Sequence, residues 1–191
     1  MQILDIIKNH KSIRVYSRKP VPRKIINKIL TAGIWGPSIH HIQPWKFIVI
    51  KDARIRKKIL KSIIIMNKKV DLPKFIFYPT IQAVAAAKTI ICVYNTKELS
   101  NFFVKPNKYL FKNLELVEIS SIAAAIQNMI LTAESFGVGS CWLDTPLFCK
   151  KDINRILDVK DELIAVLTLG YPAENGKRTP RKPILETLRY I

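Results

Sequence analysis

This sequence contains few cysteines and no long uninterrupted run of apolar residues. Its 191 residues include three cysteines, Cys92, Cys141 and Cys149, without a C-x-x-C pair or a histidine at metal-binding spacing. These spacings argue against a disulfide framework and a zinc site, so we expect free thiols in a reducing cytoplasm and no metal. No stretch approaches the roughly 18 apolar residues of a membrane-spanning helix, and no secretory signal is visible, so no membrane partner is expected.

Acidic residues are also scarce. The chain has 14 Asp and Glu against 32 Lys and Arg, giving a formal charge of +18. Such an excess attracts anions, and three explanations remain open: a lysine-rich composition without functional meaning, an anionic cofactor or substrate, or nucleic-acid binding. The basic residues are spread along the whole chain, without a compact basic helix or interleaved aromatics. We therefore expect no nucleic-acid partner.

What the chain does have is the composition of one globular domain spanning residues 1–191, with 49% hydrophobic and 24% charged residues. Helices are predicted at 2–9, 22–35, 52–66, 116–136 and 150–157, and strands at 45–51, 89–94, 140–143 and 163–171. This alternation predicts helices layered on a sheet.

Two segments resist assignment to a helix or a strand. Residues 67–80 contain two prolines and are predicted to form a loop or lid, and residues 95–114 have no clear pattern. Five aromatic residues in these segments either line a pocket or pack in the core: Phe75, Phe77, Tyr78, Phe102 and Phe103.

Two basic stretches suit a phosphate group. In His10-Lys11-Ser12-Ile13-Arg14, directly after the first helix, arginine offers a bidentate fork and serine a hydroxyl. The tail from Arg178 to Pro183 carries further cations that can close over a phosphate. The alternative for both stretches is a solvated basic loop.

Two other stretches suit the close approach of a ligand. The segment from Gly36 to Trp45 contains two prolines, and a rigid loop of this kind can present backbone amides to a planar ligand. In Gly137-Val138-Gly139 the glycines precede a short strand and allow a close backbone approach. They follow a helix, so they are not a dinucleotide-binding fingerprint. The alternatives are a plain connector and a helix cap.

In this order, the stretches resemble the nitroreductase family of flavoproteins over nearly the whole chain. Residues 10–16 resemble the family's Arg-x-Ser-x-Arg element, residues 36–47 its APSxxNxQPWxF pattern, and residues 137–143 its GLGSCWI pattern. Residues 124–131 resemble its long central helix, and Gly170-Tyr171-Pro172 followed by Arg181 resembles its closing strand and tail. The resemblance implies an α+β fold with a central mixed sheet flanked by helices, in an intertwined homodimer with FMN at each subunit interface.

The resemblance assigns five residues to the phosphate side of the flavin. Ser12 and Arg14 would hold the phosphate, the ribityl chain or the pyrimidine edge. Arg181 would bind the phosphate with help from Arg178. His10 stands where the family usually has a phosphate-binding arginine, a departure that puts the strength of phosphate binding in question.

Five other residues are assigned to the ring side. Pro37, Ser38 and His41 would reach the flavin of the partner subunit, although His41 replaces the usual asparagine. Leu143 and Asp144 would place backbone amides beside flavin N5, although Asp144 stands where glycine is common.

The reaction that the resemblance implies is a two-electron transfer with ping-pong kinetics. NADH or NADPH would give hydride to FMN, and a small acceptor such as a nitroaromatic or a quinone would then take the electrons. No catalytic side chain is expected, apart from an electrostatic role for Arg14. The alternatives are a specialised flavin reaction of the same family (flavin fragmentation in cobalamin lower-ligand synthesis or reductive dehalogenation) and a non-catalytic protein that binds flavin or nucleic acid.

Overall fold

The computed structural model describes residues 2–70, 73–102 and 108–191, and single helices or pairs of helices separate its strands. In chain order they are α1 (Ile3–Asn9), α2 (Arg23–Ile34), β1 (Trp45–Ile50), α3 (Ala53–Lys69), α4 (Lys74–Ala86), β2 (Thr89–Asn95), α5 (Glu98–Phe102), α6 (Lys108–Ser135), β3 (Gly139–Leu143), α7 (Lys150–Leu157) and β4 (Glu162–Gly170).

The four strands form one sheet in the order β1-β2-β4-β3, and each neighbouring pair is antiparallel. The predicted α+β class is confirmed. The expectation of a mixed sheet is wrong for these strands, because the one parallel pairing in the described part of the chain is an isolated bridge between Ser12 and Ser140. Two helices, α3 and α4, connect β1 to β2. A helical pair returns the chain to the end of the sheet where β1 stopped, so β2 runs in the opposite direction.

The sheet separates two apolar cores. On one face α3, α4 and α7 bury side chains such as Ile59, Ile63 and Ile153 against it, while α2 and α6 cover the other face with Ile29 and Ile126 among their buried residues. These five side chains are 0% exposed. Each contributes about 2–3 kcal/mol by leaving water, so both helical layers are held by burial rather than by helix propensity.

Helix α6 is the central helix of the second core. Its segment Asn113–Ser135 has the length and mean hydropathy, 1.5, of a membrane-crossing helix, but 44% of its most apolar window is buried within this chain. It packs closely against α2, because a Cβ at Gly33 would lie 2.8 Å from Met129 Cγ and one at Gly36 would lie 2.9 Å from Ala125 Cα. This packing accounts for its apolar character as that of a core helix.

The prediction of a loop at residues 67–80 is wrong over most of its length. Helix α3 continues to Lys69, and α4 begins at Lys74 with Pro79 inside it. Pro73 precedes the first turn, where a missing N–H costs nothing. The cost of Pro79 is offset by apolar burial on the same helix, where Ala83 is 0% exposed.

The five aromatic residues considered as pocket-lining lie in different environments. Phe77 is 0% exposed in the core, and its ring centroid lies 5.7 Å from that of Phe148. Phe75 and Tyr78 are exposed on α4. The side chains of Phe102 and Phe103 lie outside the described residues.

Candidate functional site

A cavity of about 690 Å³ lies where the end of α1, the segment after it and the C-terminal tail meet. It contains five of the ten predicted site residues, and no carboxylate is among its lining residues. The lining residues are Ile7, Lys8, His10, Lys11, Ser12, Arg14, Lys177, Arg178, Thr179 and Arg181. Six of them are Lys or Arg, so the cavity concentrates positive charge.

Residues 10–14 are held in place by the edge strand β3. The N–H of Ile13 donates to the carbonyl of Ser140 at 2.9 Å, and Ser12 forms the isolated bridge to the same residue. A Cβ on Gly139 would lie 2.9 Å from the Ile13 side chain, so glycine permits this approach. Two of the stretches singled out in the sequence are therefore in direct contact.

Arg14 has a fixed backbone and an incompletely bonded side chain. The N–H groups of Arg14 and Val15 donate to Glu174 Oε1 at 2.6 and 3.1 Å. The guanidinium makes one long contact, from Nη1 to the carbonyl of Ser12 at 3.5 Å. Its Nε is buried and has no hydrogen-bond partner among the described residues. A buried donor without a partner costs about 1–3 kcal/mol, which an anion in the cavity would relieve.

His10 brings a titratable group to the cavity instead of a fixed charge. Its Nδ1 lies 3.8 Å from Glu134 Oε2 and is buried without a hydrogen-bond partner in the described part of the chain. Burial lowers the pKa of His10 below its usual value, and the neighbouring Glu134 carboxylate acts in the opposite direction. The neutral imidazole is thus favoured near neutral pH.

The C-terminal tail is held against α1 and the segment after it by polar contacts. Arg178 Nη2 donates to Asn9 Oδ1 at 2.7 Å, and Lys11 Nζ donates to the carbonyl of Asn175 at 2.7 Å. Gly176 adopts φ +61°, a left-handed conformation that glycine adopts without strain. These contacts bring Arg178 and Arg181 into the same cavity as Arg14 although more than 160 residues separate them along the chain.

A second, more open cavity of about 260 Å³ contains two further predicted residues. It lies between the loop after α2 and α6, and no residue lines both cavities. Its lining residues are Pro37, Ser38, Ile39, Val117, Ser120, Ser121 and Ala124. His41 is not among them.

The loop beside this second cavity is strained. His40, His41 and Gln43 have φ values of +44°, +58° and +52°. A non-glycine residue in this region costs about 1 kcal/mol or more, and such strain concentrates at functional sites. The loop is stabilised by the N–H of Gln43, which donates to Ser38 Oγ at 3.2 Å, and by the N–H of Ile39, which donates to Ser121 Oγ at 3.4 Å.

Leu143 and Asp144 lie at the end of β3, outside the lining of both cavities. Leu143 is buried in the core and pairs with Val166. Asp144 is exposed, and its Oδ1 accepts a hydrogen bond from Trp142 Nε1 at 2.7 Å. The structure therefore brings the predicted phosphate residues together within one chain and leaves the predicted ring residues apart from them.

Reasoning from the sequence missed the two acidic residues that position the cavity. Glu134 faces His10, and Glu174 binds the backbone of Arg14 and Val15. The sequence offered one indication for Glu174, because it is the one acidic residue between Glu162 and Glu186 in an otherwise basic tail. The contact of Glu134 with His10 depends on tertiary packing, so no feature of the sequence indicated it.

Comparisons with known proteins agree on one family. The Nitroreductase family model matches residues 7–171. A Methanothermobacter thermautotrophicus protein, provisionally named NADH dehydrogenase/NAD(P)H nitroreductase, is 31% identical over 180 residues, covering 92% of this chain and 80% of the relative. A provisionally named nitroreductase from Desulfovibrio desulfuricans, crystallised with FMN, has TM-score 0.78 and 27% identity over 100% of this chain and 97% of that one. Iodotyrosine deiodinase 1 from Rattus norvegicus is 25% identical over 192 residues, covering 92% of this chain and 64% of the relative. This chain belongs to the nitroreductase family.

Proposed function

We propose that this chain is an FMN-dependent oxidoreductase that carries two electrons from NADH or NADPH to a small organic acceptor, such as a nitroaromatic or a quinone. It would act as a cytoplasmic homodimer. One observation carries the proposal: the cavity brings Arg14, Arg178 and Arg181 together with Ser12 and has no carboxylate in its lining. The named relatives, a nitroreductase and an FMN complex, support the same chemistry.

The residues of the cavity fit the phosphate of FMN. A phosphomonoester carries between one and two negative charges and has three strong acceptor oxygens. Arginine and serine donors match these oxygens, and the orphaned Nε of Arg14 supplies a donor without a competing partner. Ser12, Arg14, Arg178 and Arg181 would hold the group, while neutral His10 would add a hydrogen bond instead of charge.

FMN supplies the redox chemistry when it is bound, and the protein supplies position and charge. Arg14 is partly buried, so its guanidinium interacts with a negative charge more strongly than an exposed lysine does. It would stabilise negative charge on the pyrimidine edge or on the phosphate. No general acid or base is required of the protein for this role.

The ring would lie between two subunits. Pro37, Ser38 and His41 would contact the flavin held by the partner chain, and the backbone at Leu143 and Asp144 would face flavin N5. Two features support this arrangement: the separation of these residues from the phosphate cavity within one chain, and the strained loop from His40 to Gln43. A shared site would make flavin binding depend on dimerisation.

Flavin content tests the proposal. The purified protein should be yellow, release FMN on heating and oxidise reduced nicotinamide with quinones or nitroaromatics as acceptors. Arg14→Ala and Arg181→Ala should each weaken FMN binding about 10- to 100-fold, the effect of a lost charged hydrogen bond. Arg18→Ala is the control, because Arg18 is exposed and lies outside the cavity lining.

Two results would contradict the proposal at different levels. Undiminished FMN occupancy in both cavity variants would reject the phosphate assignment. A colourless, strictly monomeric protein that FMN cannot reconstitute would reject the function itself.

The deiodinase relative favours one second candidate, reductive dehalogenation. Single-turnover reactions of the reduced protein with a halophenol and with a quinone would separate the two. Halide release that outpaces quinone reduction would favour the dehalogenase. Product analysis under air would detect flavin fragmentation.

A further inference from the structure

Helix α3 presents one continuous basic face to solvent, contrary to the expectation that no compact basic helix exists. At 100° per residue its exposed cations fall on one side of the helix, over a length of about 25 Å. We call this side the α3 basic face; it consists of Arg54, Lys57, Lys58, Lys61, Lys68 and Lys69, all exposed. The opposite side of the helix, with Ile59 and Ile63, is 0% exposed in the core.

Few acidic groups neutralise this face. Within the described residues its one ion pair is the exposed contact of Arg54 Nη2 with Asp52 Oδ2, at 3.5 Å. Lys57, Lys58 and Lys61 have no carboxylate within ion-pair distance in the same part of the chain, and helix α3 itself contains no acidic residue. The face therefore carries nearly its full positive charge.

Apolar side chains are interspersed with these cations. Ile65 lies in the middle of the face and is 41% exposed. Beside α3, a groove of about 340 Å³ contains Met66 and Phe148 and is bordered by exposed Lys151 and Arg155 of α7. Arg155 Nη2 lies 3.3 Å from Oδ1 of Asp152, which also lines the groove. Phe148 is 51% exposed although its ring contacts Phe77. Cations mixed with exposed apolar groups match the interface of an anionic membrane, where headgroups and acyl chains meet.

The location of this face leaves it available. Helix α3 lies on the sheet face opposite to α2 and α6, and none of its residues lines the phosphate cavity. Because its apolar side is fixed in the core, α3 can touch a charged surface but cannot insert into it or into a nucleic-acid groove. Its lysines are point charges suited to a diffuse contact, without the planar forks that read bases.

We propose that the α3 basic face is an electrostatic docking surface for an anionic lipid bilayer, with Ile65 and Phe148 reaching the interfacial region. The binding is peripheral, shallow and sensitive to salt. It brings the protein to the cytoplasmic leaflet, whose surface potential is negative.

Vesicle co-sedimentation of the purified protein tests this proposal. The probes are vesicles of equal parts phosphatidylglycerol and phosphatidylcholine, and vesicles of phosphatidylcholine alone, at about 0.1 M and about 1 M salt, where the Debye length falls from about 10 to about 3 Å. The test variant is Lys57→Gln/Lys58→Gln/Lys61→Gln. The matched control, Arg18→Gln/Lys24→Gln/Lys160→Gln, removes the same charge from exposed positions elsewhere.

The α3 variant should lose about a hundredfold in partitioning to anionic vesicles, since each lysine at such a surface contributes a factor of about five. The control should lose less than about fivefold, and Ile65→Ser should lower vesicle binding without changing binding to duplex DNA. Equal losses in both triple variants, or equal binding to the two kinds of vesicle, would overturn the proposal. So would duplex DNA that binds more tightly than anionic vesicles and depends on the same three lysines.

Discussion

His10 makes the charge of the cavity around Arg14 depend on pH. It faces Glu134, shares the cavity with Lys8, Lys11, Arg14, Lys177, Arg178 and Arg181, and has a pKa lowered mainly by burial. Protonation therefore occurs below about pH 6.5, the ordinary value, and adds a positive charge to the cavity. An anion binds the protonated form more tightly, so the gain appears as pH falls.

We therefore predict that FMN affinity changes differently with pH in the native protein and in His10→Gln. The ratio of the two affinities should shift in favour of the native protein as pH falls from 7 to about 5. The second pKa of the phosphate, about 6, acts equally on both proteins and cancels in the ratio. His10→Arg should bind more tightly at pH 7 and lack this dependence. Flavin fluorescence titrations measure the ratio, and a constant ratio would show that His10 does not act on the bound anion.

Glu174 positions Arg14 without lining the cavity. Its Oε1 accepts from two backbone N–H groups, at 2.6 and 3.1 Å. Glu174→Ala should leave both donors unsatisfied, lower the free energy of unfolding by about 1–3 kcal/mol and weaken FMN binding. Glu174→Gln keeps an acceptor oxygen and should restore most of both losses. Denaturant unfolding and flavin titration are the measurements, and a glutamine variant as impaired as the alanine variant would indicate that charge matters instead.

At the scale of elements, α4 forms despite an internal proline. Pro79 leaves the carbonyl one turn earlier without its usual donor. We predict that Pro79→Ala raises the free energy of unfolding by about 2 kcal/mol, because the cost of proline in a helix, about 3 kcal/mol, exceeds the up to about 1 kcal/mol that alanine loses through the greater freedom of the unfolded chain. Pro73→Ala, at the helix start, is the control and should change stability little. Thermal unfolding compares the two, and a destabilised Pro79→Ala would indicate that the ring itself packs usefully.

Prediction from sequence succeeded for some elements and failed for α4. Strand β2 was predicted at 89–94 and spans Thr89–Asn95, and α7 was predicted with its observed ends, because apolar periodicity reflects burial directly. Proline counts against a helix locally, but tertiary burial of Phe77 and Ala83 outweighed this local penalty. The mixed sheet, which the resemblance implied, is wrong for the four strands, because two helices instead of one connect β1 to β2 and the strands run antiparallel.

The candidate site was predictable to a similar extent. The resemblance and the residue types singled out candidate phosphate-binding residues, and the fold brings His10, Ser12 and Arg14 together with Arg178 and Arg181 in one cavity. The carboxylates behind them were not predicted, because side chains distant in sequence meet only after packing. The ring-side residues stay a prediction, since they would act across two subunits.

At the scale of the whole molecule, the charge of +18 gives rise to a long-range attraction for anions. Part of this field arises at the cavity and part at remote surfaces such as the α3 basic face. Their effects on the rate of cofactor capture differ with distance, because salt screens charges beyond about 10 Å at 0.1 M ionic strength.

This distance dependence leads to a prediction for association rates measured by stopped-flow flavin fluorescence. The FMN on-rate should fall at least tenfold between about 0.01 M and about 1 M salt, whereas that of uncharged riboflavin should barely change. At about 0.1 M salt, Lys8→Gln/Lys11→Gln/Lys177→Gln should slow FMN capture about tenfold. The α3 triple variant removes the same charge from positions outside the cavity lining and should slow it less than about twofold. Equal slowing in both variants would mean that net charge, not the arrangement of cations around the cavity, guides the cofactor.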